Sequence, residues 1–275
     1  MDIVSKINKW ATILFTVTIV SIIYNIYIYF SKDPYYTGTF FIVIYALIYL
    51  VGSVCGLLYM KKIPGIRGNM KSIFIGFLMN AIAMTIGLYT FAYYTIIKGV
   101  ESPYPSLAEI AFLFTSIGSF IVLVSIFRLY KIQITKRLVI EFFGYFILSS
   151  LTIFWILGDG IGYLFTGFPY IDEGQSLLVN LFDFYYAFVD AFTAAVGLTI
   201  LRVAGGKIFR GLFYFSIGTL FIVVADLIFS YRLSEEIIWN GDINDTFFMI
   251  SGFFFSLGII LTLKDFVNKN LEIKI

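Results

Sequence analysis

The stretch Tyr104-Pro105-Ser106-Leu107-Ala108-Glu109-Ile110 separates two long apolar runs, and its grammar decides the fold. Pro105 cannot continue a helix, and it biases Tyr104 away from helical backbone angles. Ser106 is a capping residue, and Glu109 stands three residues on, where a carboxylate closes a capping box. A helix therefore starts here, at a boundary between water and lipid. Asn180-Leu181-Phe182-Asp183 and Asp242-Ile243-Asn244-Asp245 repeat the grammar: a capping type, an acid three residues later, then an apolar run. The expected capping residues are thus Ser106, Glu109, Asn180, Asp242 and Asp245. The chain reads as one helical hairpin used repeatedly.

Composition sets the class. The 275 residues are 60% hydrophobic and only 13% charged, with mean hydropathy +0.94. An ordinary soluble domain carries about a quarter charged residues. The expectation is an all-α integral membrane protein, one domain over residues 1–275 with the lipid bilayer as its main partner. A span needs roughly 20 apolar residues. Eight such runs occur, with approximate bounds 10–30, 38–60, 72–97, 106–129, 137–158, 177–201, 208–231 and 243–264. They pair as four helical hairpins. The first is too long and too aromatic for a cleavable signal peptide and reads as a retained helix.

Lysine and arginine orient the spans. Of the 19 in the chain, only Lys32, Lys98 and Arg232 fall in the connections on one side. The other side holds the rest, so both termini are expected in the cytoplasm, with the protein in the cell (plasma) membrane. The opposite connections carry acids, among them Asp33, Glu101, Asp159, Asp172, Glu173, Glu235 and Glu236.

Several chemistries drop out at once. There is no histidine, which removes imidazole metal sites, histidine-ligated haem and serine–histidine nucleophiles. The one cysteine, Cys55, cannot form an intrachain disulfide. A net charge of +2 does not suggest a nucleic-acid partner. Gly158-Asp159-Gly160 does not complete an intramembrane aspartyl-protease signature, and no phosphate loop or metal-spaced cluster appears. No catalytic residue, metal or cofactor is expected, and the protein is not read as an enzyme.

Ionisable residues within spans are the functional candidates. Asp190 lies seven residues beyond Asp183, so both share one helix face, about 10 Å apart along the axis at ~1.5 Å per residue. Asp226 reaches a comparable depth on the following span. No deep lysine or arginine is available to neutralise Asp190 or Asp226. With Tyr186 nearby, Asp183, Asp190 and Asp226 make an acidic and aromatic pocket in the outer half, suited to a proton or a small cationic ligand.

From Pro103 to about Ile260 the pattern resembles the multi-helix membrane sensor region that precedes GGDEF diguanylate cyclases and some histidine kinases. The motifs that carry the likeness are Pro105-Ser106-Leu107-Ala108-Glu109, Tyr185-Tyr186-Ala187-Phe188-Val189-Asp190, Ala225-Asp226 and the acid-opened helix at Asp242 or Asp245. Glutamate stands where that family has aspartate in the first, and the second lacks its proline. The segment after Lys264 has no room for an output domain. The resemblance implies a sensory or ligand-binding module that signals through a separate cytoplasmic protein. The alternatives are a small proton- or cation-coupled transporter and a structural subunit of a larger membrane complex. Proline-free spans weigh against the transporter.

Overall fold

The computed structural model describes residues 3–30, 34–63, 66–100, 102–157, 177–204, 210–234 and 240–272. Among them are eight long helices: α1 (Ile3–Tyr29), α2 (Pro34–Met60), α3 (Gly68–Ala92), α4 (Leu107–Leu129), α5 (Lys136–Leu157), α6 (Leu177–Ala204), α7 (Arg210–Ser234) and α8 (Ile243–Glu272). A π-helical turn, Tyr93–Lys98, extends α3 and ends at Gly99, whose φ of 65° suits glycine. Seven of the helices are long and apolar enough to cross a membrane. The eighth, α5, carries Lys136, Arg137 and Glu141 in its first turns. This is an all-helical, multi-pass membrane protein.

Helix packing gives the architecture. The neighbours α2–α3–α4–α6–α7–α8 close into a ring, with α2 touching α8. Outside it, α1 packs on the α2/α8 seam and α5 on the α6/α7 seam. The scheme of the first four helices is largely repeated by the last four. The α1·α2, α2·α3 and α3·α4 contacts match α5·α6, α6·α7 and α7·α8, and α2·α8 matches α4·α6. The exceptions are α1·α8, α3·α8 and α5·α7.

In lipid no hydrophobic force draws helices together, so close backbone approach and polar contacts must do so. Small residues supply the approach. A Cβ built on Gly76 of α3 would lie 2.5 Å from the Gly118 carbonyl oxygen of α4, and one on Gly211 of α7 only 2.2 Å from that of Gly258 of α8. Gly52 of α2 meets Ser256 of α8 just as tightly. Hydroxyls then stitch the same seams. Ser256 donates to the Ile48 carbonyl at 2.7 Å, Ser251 to that of Gly218 at 2.8 Å, and Ser119 to Asn80 Oδ1 at 3.3 Å. At the expected cytoplasmic ends, Arg210 pairs with Asp265 at 2.8 Å. There Glu141 of α5 pairs with Arg137 at 2.8 Å and Arg202 of α6 at 3.5 Å.

Candidate functional site

The site begins at the caps. Ser106 closes a complete capping box on α4: its Oγ accepts from Ala108 N–H at 3.1 Å, and Glu109 accepts from both the backbone and the hydroxyl of Ser106. Glu109 is nonetheless 3% exposed, so this cap is buried inside the ring. At α8, Asp242 Oδ1 accepts from Ile243 N–H at 2.6 Å, and Asp245 Oδ2 takes Gly241 N–H at 2.6 Å. Asp242 also pairs with Arg232 at the end of α7. The third expected cap requires correction. Helix α6 begins at Leu177, so Asn180 lies inside its first turn and not before it. The helix-forming Leu177-Leu178-Val179 carries the helix past the capping signal. The side chains of Asn180 and Asp183, like the Gly158-Asp159-Gly160 stretch, lie outside the described residues.

Beneath the caps lies the carboxyl pair. Asp190 of α6 and Asp226 of α7 stand within electrostatic reach of each other. Asp190 is 8% exposed and Asp226 half-buried. Tyr186 stands within electrostatic reach of Asp190, Asp226, Glu109 and Tyr104, and Tyr185 within reach of Asp190. On the far side of the ring, Tyr45 and Tyr49 of α2 reach Asp226 in the same way.

Those two phenols are the residues that sequence reasoning missed. Tyr45 donates to Asp245 Oδ1 at 3.0 Å, and Tyr49 to the Phe248 carbonyl at 2.7 Å. Both are fully enclosed. Their signal lay in Gly52-Ser53-Val54-Cys55-Gly56, a small-xxx-small stripe that lets α2 close on α8. By contrast, Tyr89, Tyr93 and Tyr94 line a separate groove between α3 and α4.

The site has a two-part plan. Glu109 and Asp245 occupy matching places at the starts of α4 and α8. Each faces a phenol from the second helix of the other half: Tyr186 of α6 and Tyr45 of α2. Four residues on from these tyrosines stand Asp190 and Tyr49, so the carboxyl pair belongs to one half only. Asn25 of α1 locks the second cap, donating to the Gly241 carbonyl at 3.3 Å and accepting from Thr246 at 3.1 Å. Among the described residues, no group of three acidic, cysteine or histidine side chains could hold a metal ion. No protein-family model, curated protein or solved structure matches the chain.

Proposed function

We propose that the protein is a membrane sensory or ligand-binding module whose carboxyl pair, Asp190 and Asp226, takes one positive charge, a proton or a small cation, from the outer side. The observation that carries this is the pair itself: two acids within reach of each other on adjacent helices, with phenols around them. A buried acid pair is costly in lipid, about 2.5–3.5 kcal/mol for a central aspartate on insertion scales, and a retained proton offsets part of that. The reading comprises eight spans, both termini cytoplasmic, in the cell membrane. Binding rather than catalysis is the role, passed on to a separate cytoplasmic signalling protein or a membrane complex.

Thermal melts across pH and candidate cations test it. Deprotonating the pair leaves two carboxylates face to face in a low-dielectric interior, so wild-type stability should fall as pH rises and recover with a cation that fits. A bound species stabilises only through the state it binds, so Asp226→Asn should flatten both responses while the protein stays folded. A wild-type melt indifferent to pH and to cations would reject the reading.

A second reading draws on one observation: the packing scheme of α1–α4 recurs in α5–α8. Parallel repeats of this kind build transporters whose coupling-ion sites lie at the repeat interface. Cation- or proton-driven uptake in proteoliposomes separates a carrier from a sensor.

A further inference from the structure

On the outer flank of the α3/α4 seam, two cavities of about 410 and 510 Å³ share Ile86, Thr90 and Leu107, forming one continuous groove. Each falls within the ~300–1,000 Å³ of small-molecule sites. The groove has two ends of different chemistry. The end toward the outer surface is walled by Tyr89, Tyr93 and Tyr94, and the inner stretch by Met79, Ile82, Ala83 and Phe114. The π-helical turn Tyr93–Lys98 forms the outer rim, with Val100 N–H reaching the Tyr94 carbonyl at 3.2 Å. Single π turns concentrate at functional sites. The turn sets Lys98 Nζ 5.8 Å from the centre of the Tyr93 ring, so a cation sits over a phenol ring at the end of the groove. Tyrosines take the interfacial level in membrane proteins.

We propose that this groove seats one outer-leaflet phospholipid with an anionic headgroup. The phosphate meets Lys98 and the tyrosine hydroxyls, and one acyl chain lies along α3 toward Ala83. The length fits: Tyr94 to Ala83 rises about 16 Å at ~1.5 Å per residue, and one leaflet contributes about 15 Å of a ~30 Å core. The charge fits as well, since the ammonium of the exposed Lys98 attracts a lipid phosphate directly.

The test is native mass spectrometry of detergent-purified protein mixed with phosphatidylglycerol and phosphatidylcholine of identical chains. One phosphatidylglycerol should be retained several-fold over phosphatidylcholine. Lys98→Ala should erase that preference. Ile110→Trp, at a half-exposed position lining the groove, should abolish retention, with Phe114→Trp as the second filling variant should the first not fold. Ile147→Trp on the lipid face of α5 should change nothing. Equal retention of the two lipids by wild type overturns the proposal. So does undiminished retention in folded groove-filling variants. Asp190→Asn should keep the lipid, so this result stands or falls apart from the carboxyl site.

Discussion

Replacing Tyr45 by phenylalanine removes one hydroxyl and leaves the packing of a ring that is 1% exposed. That hydroxyl lies 3.0 Å from Asp245 Oδ1, whose other described donor, Asn244 Nδ2, stands at a weak 3.5 Å. Oδ1 is thus left nearly orphaned. A hydrogen bond to a charged group contributes about 1.5–3 kcal/mol in water-soluble proteins. Interhelical bonds in membranes average about 0.6 and reach ~1.7 kcal/mol, because the unfolded state in lipid also finds partners. Burial of both groups places this bond at the upper end, so Tyr45→Phe should cost about 1.5 kcal/mol. The assay is reversible unfolding in mixed micelles, run as a double-mutant cycle with Asp245→Ala, because asparagine would keep an acceptor for the phenol. A coupling energy near 1–1.5 kcal/mol is expected. A coupling indistinguishable from zero would refute the claim that α2 and α8 are joined through this pair.

Further outcomes follow from the same contacts. Ser106→Ala opens the buried capping box and should destabilise by about 0.5–2 kcal/mol in the same micelle assay, as cap losses do elsewhere. Gly211→Ala drives a methyl to within 2.2 Å of the Gly258 carbonyl, a backbone clash that should cost about 1–3 kcal/mol and lower the melting temperature; an unchanged melt would contradict the α7/α8 approach. Cysteine probes at Ser102 and Gly174 should label from outside intact cells and those at Gly65 and Asn270 should not, which checks the orientation drawn from lysine and arginine.

Local grammar was readable from the sequence, and long-range adjacency was less so. The capping box at Ser106 and Glu109 and the cap at Asp242 need only a few consecutive residues, so their signal is self-contained. Asn180 shows the limit of the same rule, because a capping type opens a helix only where the residues before it are not already helical. The comparable depth of Asp190 and Asp226 on successive helices was legible; whether they face each other was not, because helix rotation is set by packing and not by the chain. Tyr45 and Tyr49 were not legible, since α2 and α8 stand about 200 residues apart in the chain and meet through matched small residues, Gly52 against Ser256. The glycine stripe on α2 was visible but had no partner until the ring closed. The burial of Glu109 and Asp242 was not legible, because it comes from the helices packed around them and not from their own segments.

The central claim is one proton held between Asp190 and Asp226, and infrared spectroscopy sees it directly. At neutral pH, where ordinary carboxyls are ionised, the wild-type protein should show a protonated-carboxyl band that shifts in heavy water. That band should vanish in Asp190→Asn and in Asp226→Asn while both remain folded. A wild-type spectrum without it, or one unchanged by either substitution, would contradict the account.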